Sequence, residues 1–181
     1  MHHARLGPKG TRPLAVLNDS GVFVGYAALF NRADATGDII MPGAFSESLK
    51  RRGTENVRML FQHDPSEPIG AWIDLHETAK GLAVRGRLNM GVQRGREVSA
   101  LIEGRGLDGL SIGFKAIAAR RDRASGLRRL ERVDLWEISL VTFPMQEGAR
   151  VNKAKALADW NRLFGNSSAQ GAKTDGHRYR T

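Results

Sequence analysis

The sequence predicts a β-rich α+β fold, and three observations lead to that prediction. The chain has 181 residues, of which 41% are hydrophobic and 26% charged, which is the size and composition of one globular domain. Its 21 glycines lie among short apolar runs, a pattern typical of strands joined by turns. Helical spacing of apolar residues is confined to a few short stretches. We therefore expect a strand-rich core with a few surrounding helices.

One domain is expected between two polar ends. Residues 1–13 are basic and contain Gly-Pro and Arg-Pro, so we expect a flexible arm. Residues 165–181 are polar, basic and rich in Gly and Ser, which predicts a disordered tail. The segment 14–164 between them shows neither an internal repeat nor a second domain.

The first half of this domain is predicted to consist mainly of strands. Residues 14–17 and 22–30 are apolar runs separated by a turn-forming Asn-Asp-Ser-Gly, which indicates two strands. Residues 42–52 have apolar side chains four apart and end in a basic run before Gly53, which indicates a short helix. The other predicted strands are residues 57–62, 69–75 and 82–89, of which the last two form a hairpin.

The second half begins with a helix over residues 92–103, where apolar residues recur at spacings of three and four. Strands are predicted at 110–118 and 133–143, joined by an Arg-rich hairpin tip over 120–129. Pro144 ends the second of these strands. A last helix is predicted from a cap at Asn152, with Leu157, Trp160 and Phe164 on one face.

The composition excludes several kinds of chemistry. Cysteine is absent, which excludes disulfides, a cysteine nucleophile and cysteine-ligated metals. No apolar run approaches the roughly 20 residues that a membrane-spanning helix needs. The first residues contain no hydrophobic signal region, so we expect the chain to stay in the cytoplasm.

The chain is strongly basic. It has 28 Lys and Arg against 19 Asp and Glu, a formal charge of +9. Such a surface attracts nucleic acids and acidic proteins, but it is also found on proteins that bind neither.

His63 is the histidine best placed for catalysis. It ends a predicted strand and precedes Asp64-Pro65, which we expect to end strand pairing. A histidine at such a junction can serve as a general base, or it can simply cap the strand. Of the others, His2, His3 and His177 lie near the chain ends, and His76 is predicted to be a solvated loop residue.

Ser111 is the candidate nucleophile, in the segment Gly-Leu-Ser-Ile-Gly of residues 109–113. Alternation places its side chain on the strand face opposite Leu110 and Ile112. Gly113 on the same face lets a substrate backbone approach. The α/β-hydrolase elbow has a similar pattern, but it needs a strand-to-helix turn at the serine, whereas this segment continues as a strand. The alternative is a small serine beside a closely packed neighbour.

Glu137 is the candidate acid. Strict alternation would place it in an apolar row with Leu135 and Val141. Burying an unpaired carboxylate there would cost roughly several kcal/mol. An imidazolium is one suitable partner, so Glu137 could orient His63, and an arginine is the other.

Taken together, these residues resemble the phage prohead protease family, the serine proteases that mature tailed-phage capsids. The segments that carry the resemblance are Val24-Gly25-Tyr26-Ala27, Phe30-Asn31, Gly37-Asp38-Ile39-Ile40, Pro42-Gly43-Ala44-Phe45, Ser48-Leu49, Phe61-Gln62-His63-Asp64, Pro68-Ile69-Gly70, Lys80-Gly81-Leu82, Leu110-Ser111-Ile112-Gly113-Phe114 and Leu135-Trp136-Glu137-Ile138-Ser139-Leu140-Val141-Thr142-Phe143-Pro144. Their order and spacing make the match specific.

The resemblance implies a fold and a catalytic site. The family is similar in fold to the herpesvirus assemblins, so we expect an assemblin-like β-barrel with a few surrounding helices. It implies His63 as general base, Ser111 as nucleophile and Glu137 as the third member, where assemblins use a second histidine; Asp134 is the fallback. Residues 144–146 read Pro-Met-Gln where relatives often have Pro-Ala-Asn, so no oxyanion residue is assigned there.

The resemblance also implies a biological role. The expected substrate is the scaffolding segment of the major capsid protein, and the protease itself, inside the immature capsid in the host cytoplasm. A homodimer is expected by analogy with assemblins, and no cofactor, metal or membrane is called for. The alternatives are a non-catalytic capsid scaffold, a nucleic-acid-binding module using the arginines of residues 120–132, and a metal hydrolase using His63, Asp64 and Glu67.

Overall fold

A computed structural model describes residues 21–152 and Trp160, and its main feature is one strongly curled sheet. The strands are β1 (Val22–Leu29), β2 (Asp38–Ile40), β3 (Arg58–Phe61), β4 (Asp64–Glu77), β5 (Gly81–Leu88), β6 (Gly109–Arg121), β7 (Arg128–Val141) and β8 (Val151–Asn152). The helices are α1 (Ser46–Arg52) and α2 (Gln93–Glu103), and a 3₁₀ turn lies at Thr54–Asn56. The predicted β-rich α+β class is confirmed.

The strands follow the order β2-β7-β3-β4-β5-β1-β8, with β6 on the other side of β7. Most neighbours are antiparallel, but β2 and β3 both run parallel to β7. The segment around β8 brings the two ends of this sheet together. It pairs with β1 on one side, and on the other Leu110 N donates to Ala149 O at 2.9 Å and Val151 N donates to Asp108 O at 2.8 Å. The sheet is therefore curled into a barrel-like wall.

Apolar side chains from nearly every element fill the concave side of this wall. In its centre, the rings of Phe23 and Trp72 meet edge to face at 5.7 Å between centroids. Three further core residues come from the helical segments: Phe45 just before α1, and Val98 and Ile102 of α2. Burial of these side chains supplies the main driving force for the fold.

One extra residue in β7 changes which side chains face the core. Gly113 of β6 pairs with Glu137 of β7, but the next residue of β6 pairs with Leu135, so Trp136 is left over as a β-bulge. The residues that β7 contributes to the hydrophobic core show this shift, because Val133 and Leu135 before the bulge are followed by Ile138 and Leu140 after it.

The expectation that Glu137 shares a face with Leu135 is therefore wrong. Strict alternation was assumed across residues 133–141, and the bulge breaks it. Beyond the bulge, Ile138 and Leu140 face the core, and Glu137 and Ser139 lie on the opposite, outer face of the wall.

The bulge lies where β7 changes neighbours. Its first residues pair with β2, and its last ones, from Glu137 onward, pair with β3. Between them, α1 and the turn before it take the place of a strand: Val133 N donates to Ala44 O at 3.0 Å, and Leu135 N donates to Ser48 Oγ of α1 at 2.9 Å. A β-bulge can redirect a side chain or end strand pairing, which agrees with its position at this change of neighbours.

Several boundaries differ from the prediction. Pairing does not end at Asp64-Pro65, because β4 begins at Asp64; the register shift between Asp64 and Pro68 lets residues 65–67 bulge outward. β6 and β7 extend further into the Arg-rich hairpin than predicted. Asn152, predicted as the cap of the last helix, lies in β8, and Trp160 is helical and packs with Val24 and Ala83.

Other predictions lie outside the described residues. These are the arm at 1–13, the strand at 14–17, the rest of the last helix, including Leu157 and Phe164, and the tail at 165–181. Within the described part of the chain, no helix has both the length and the apolar character that crossing a membrane requires.

Gly86 makes room for the aromatic pair in the barrel interior, so we expect Gly86→Ala to destabilise the fold. An added Cβ would lie 2.5 Å from Met59 Cε, 2.8 Å from Trp72 Cζ3 and 2.9 Å from Phe23 Cζ. Overpacking of this kind costs about 1–3 kcal/mol, measurable as the free energy of unfolding in urea. Gly106→Ala is the control, because its Cβ would lie 3.4 Å from the nearest atom, Leu101 Cδ2. Equal losses in both variants would contradict the packing argument.

Candidate active site

His63 stands in a tight turn between β3 and β4. Phe61 pairs with Asp64, so Gln62 and His63 form a two-residue hairpin loop with φ values of 54° and 61°. Positive φ at both central positions is the feature of a type I′ turn, which usually contains Asn or Gly. Non-glycine residues in this region cost about 1 kcal/mol or more each and often mark functional sites.

The end of β7 holds this turn in place. Gln62 N donates to Leu140 O at 3.0 Å, and Gln62 Nε2 donates to Thr142 Oγ1 at 2.7 Å. The turn backbone also reaches Ser139, because His63 N donates to Ser139 Oγ at 3.1 Å. The imidazole therefore extends from a backbone that β7 holds at two points, and the side-chain bond from Gln62 to Thr142 adds a third tie just after the strand.

The imidazole of His63 meets the carboxylate of Glu137. His63 Nδ1 lies 2.7 Å from Glu137 Oε1, and the His63 side chain is 43% exposed against 13% for Glu137. A carboxylate accepts, so Nδ1 carries the proton in this contact. The hydrogen bond to Glu137 raises the pKa of His63 above its ordinary value, and partial burial of the ring opposes this rise.

Ser111 lies one strand away on the same outer face. Across the β6–β7 ladder, Ser111 is paired with Ser139 and Gly113 with Glu137. Directly paired residues of an antiparallel ladder place their side chains side by side, with Cβ atoms about 4.5–5.5 Å apart. The ladder thus aligns Ser111 with the residues that contact His63.

The hydroxyl of Ser111 is buried and has no hydrogen-bond partner within the described part of the chain. Residue Ser111 also borders a small cavity of about 40 Å³ together with Ala27, Phe114 and Met145. His63 and Glu137 are thus in direct contact, whereas Ser111 is placed beside them without a hydrogen bond to either.

Gly113 has a different role from the one expected. We expected its missing side chain to admit a substrate backbone. The space belongs to Glu137, because a Cβ on Gly113 would lie 2.1 Å from Glu137 Oε1. Glycine at this position therefore allows the carboxylate to lie across β6.

Asp134, the fallback acid, belongs to another cluster. Its carboxylate accepts from Arg51 at 2.6 Å, from Arg52 at 2.9 Å and from Trp136 Nε1 at 2.9 Å. The bond from Trp136 and the charge and hydrogen bond of Arg52 lower the pKa of Asp134 to about 2. This ion cluster ties α1 to β7 and is not in contact with His63.

The other histidine of the described structure is His76, which is partly exposed but lies in a strand and not in a loop. It lies in β4, with Nε2 at 2.6 Å from Asp74 Oδ1 and its ring 5.8 Å from that of Trp160. The loop prediction failed because β4 continues through Glu77, whose carboxylate accepts from Phe45 N at 2.9 Å.

Two features bear on the alternative functions. Across residues 21–152 and Trp160, no three His, Asp or Glu side chains are grouped as metal ligands would be, and Glu67 is bonded to Arg94 at 3.0 Å. In the basic hairpin, several arginines are already engaged by carboxylates: the pairs are Arg120–Glu131, Arg128–Asp38 and Arg132–Glu47.

The curled sheet defines the class of fold, which is shared with two solved viral proteases. The structure of the bacteriophage T4 capsid assembly protease is similar with a TM-score of 0.58 at 14% identity, covering 68% of this chain and 82% of that one. The KSHV protease, in complex with a hexapeptide phosphonate inhibitor, is similar with a TM-score of 0.52 at 17% identity, covering 77% and 68%. The predicted assemblin-like architecture is confirmed.

The chain belongs to the caudovirus prohead serine protease family, which matches residues 12–162. The prohead protease of Enterobacteria phage HK97 is 37% identical over 139 residues, which are 76% of this chain and 61% of that protein. The prohead protease of Escherichia phage T5 is 30% identical over 137 residues, covering 72% and 64%. The chain thus spans about three fifths of the length of these relatives. The resemblance stated from the sequence is confirmed.

Sequence reasoning missed two parts of the site. Ser139 carried no signal beyond its place two residues after Glu137, and its contacts depend on a turn 76 residues earlier in the chain. Gln62 was not identified either. A two-residue hairpin at Gln62 and His63 would have indicated that both residues belong to one tight turn, but that turn was not recognised in the sequence.

We expect Gly113→Ala to disturb the site while leaving the fold intact. The added methyl must displace the Glu137 carboxylate, which is the movable end of a side chain and not backbone. Loss of the contact removes the cause that raises the pKa of His63, so an NMR titration should show that pKa falling toward 6.5. The Gly106→Ala protein serves as control, and an unchanged titration in Gly113→Ala would show that the carboxylate does not need this space.

The His63–Glu137 pair should make stability depend on pH in a definite sense. Because the pKa of His63 is raised in the folded chain, the pair's contribution is fully present below 6.5 and is lost as pH rises through the folded-state pKa. Glu137→Gln should therefore cost most between about pH 5 and pH 6, and least above about pH 8. Urea unfolding of both proteins across this range measures the difference. A gap that widens toward alkaline pH would contradict the assignment.

Proposed function

We propose that this chain carries the catalytic domain of a serine endopeptidase, with Ser111 as nucleophile, His63 as general base and Glu137 as the residue that orients His63. The observation that carries the proposal is the 2.7 Å contact between His63 Nδ1 and Glu137 Oε1. It lies on the outer face that also bears Ser111, opposite Ser139 in the ladder. A base oriented by an acid beside a hydroxyl nucleophile is the arrangement of serine proteases.

The proposed reaction is acyl transfer. Glu137 engages Nδ1 of His63, so Nε2 is the nitrogen left to take the proton of the Ser111 hydroxyl as Oγ attacks the peptide carbonyl. The peptide C–N bond then breaks, and His63 gives the proton to the leaving amine. Water, deprotonated by the same imidazole, hydrolyses the acyl-enzyme and restores the Ser111 hydroxyl.

Each side chain contributes in its own way to this reaction. Glu137 stabilises the imidazolium that forms when His63 accepts the proton, which agrees with the raised pKa of His63. Ser111 stands on a paired strand, so its backbone is held for attack without further ordering. We expect the Ser111 hydroxyl and the His63 imidazole to form a hydrogen bond when the substrate binds, because catalytic hydrogen bonds commonly shorten in the substrate complex.

The proposed substrate is a capsid precursor, specifically the scaffolding segment of the major capsid protein, together with the protease itself. The names of the relatives support it, because two are prohead proteases and one structural neighbour is a capsid assembly protease. The reaction would take place within the procapsid, assembled in the host cytoplasm, with the protease as a homodimer. The inhibitor named for the KSHV protease is a peptide with a tetrahedral phosphorus, the geometry of an acyl-transfer intermediate.

The function is tested by co-expressing the chain with the major capsid protein of its own virus. The native chain should shorten the capsid protein at a defined bond, as read by intact mass. Ser111→Ala should leave it full length, because loss of a serine nucleophile costs on the order of 10⁶ in rate in subtilisin, whose scale we adopt.

Ser99→Ala is the matched control for that experiment. Ser99 is also buried, but it lies on α2 and bonds Glu103, so cleavage should continue. Full-length capsid protein with the native chain, or continued cleavage with Ser111→Ala, would refute the assignment. Particle assembly without any cleavage would instead favour a scaffold role.

A further inference from the structure

We propose that Ser139 is a positioning residue that holds the base and the acid of the site in one geometry. This inference rests on the proposed function, and it assigns Ser139 a role in it without contact with the substrate. The side chain of Ser139 is completely buried on β7, directly opposite Ser111. It joins two parts of the site that are far apart in sequence.

Both bonds of the Ser139 hydroxyl are directed at the catalytic pair. Its oxygen accepts from His63 N at 3.1 Å, and its proton is donated to Glu137 Oε2 at 2.6 Å. The other carboxylate oxygen, Oε1, contacts the His63 ring at 2.7 Å. Ser139, Glu137 and His63 therefore form a closed ring of three contacts that includes the backbone of His63 as well as its imidazole.

The proton count leaves this ring only one arrangement. A serine hydroxyl has a single proton, and the carboxylate can only accept, so that proton points to Glu137. A backbone N–H can only donate, so the Ser139 oxygen must accept from His63. Since no member can reverse its role, the ring fixes the carboxylate plane and the turn together.

Neither of the two groups that Ser139 holds is fixed by its own backbone or side chain alone. The His63 ring is 43% exposed and stands in a turn whose φ of 61° is unfavourable for a side-chain-bearing residue. The carboxylate is at the end of a flexible side chain that lies across Gly113. Without Ser139, the N–H and one carboxylate oxygen would lose their partners, and both groups would seek new ones.

The test compares Ser139→Ala with Ser99→Ala. The pair is matched, because each serine is buried and each donates to a glutamate, at 2.6 Å in Ser139 and 3.2 Å in Ser99. Two readouts are needed: the pKa of His63 by NMR titration of its ring, and kcat and KM for cleavage of the major capsid protein. Urea unfolding checks that each variant is folded.

We expect Ser139→Ala to lower the pKa of His63 toward 6.5, because the carboxylate is no longer held against the ring. We expect kcat to fall by roughly 10- to 100-fold with little change in KM, since a small misplacement of a catalytic group has effects of this size. Ser99→Ala should leave both unchanged. Ser139→Thr, which keeps the hydroxyl, should restore the pKa of His63 to its value in the native chain. If Ser139→Ala does not fold, Ser139→Cys, which keeps the volume but donates weakly, decides by the same readouts.

The outcomes separate this inference from the proposed function. A native chain that cleaves the capsid protein, with neither the His63 pKa nor kcat altered in folded Ser139→Ala, overturns the role of Ser139 and leaves the protease standing. A native chain without activity, in which Ser139→Ala still lowers the pKa of His63, upholds the positioning role and refutes the protease.

Discussion

The geometry of the site depends on one extra residue in β7. Trp136 interrupts the alternation of the strand, so Glu137 and Ser139 leave the row of core residues and join the outer face. In a regular strand, Glu137 would point into the barrel beside Leu135, where an unpaired carboxylate would be costly. The bulge thus allows a strand that is apolar on its inner side to carry an acid within reach of solvent and of His63.

β7 organises the site from its centre. It pairs with β6, which brings Ser111 opposite Ser139, and with β3, which leads directly into the turn of His63. The same strand satisfies the backbone of that turn through Leu140 and Ser139. Unfavourable φ values at two successive residues persist because these bonds hold them, and side chains from three separate stretches of chain are placed by one rigid element.

The sequence predicted both described helices and most of the described strands, because their apolar periodicity is local, but it did not predict the three-residue β2. It offered His63 as a base or a strand cap and Glu137 as a partner for a histidine or an arginine, and the family resemblance then joined the two residues in one site. It could not supply the bulge, since counting alternate residues assumes a regular strand, and for that reason Glu137 was assigned to the wrong face. Ser139 could not be found at all, because the role of a buried serine depends on the groups that it contacts after folding, and the sequence does not show these contacts.

The balance at His63 follows from the same placement. An imidazole that first accepts and then returns a proton works best when its pKa lies near the working pH. The hydrogen bond to Glu137 raises the pKa of His63, while partial burial of the ring lowers it. The first effect comes from β7, which carries the acid. A change that loosens the turn weakens both at once, so the proton affinity of His63 is tied to the integrity of the wall and not to Glu137 alone.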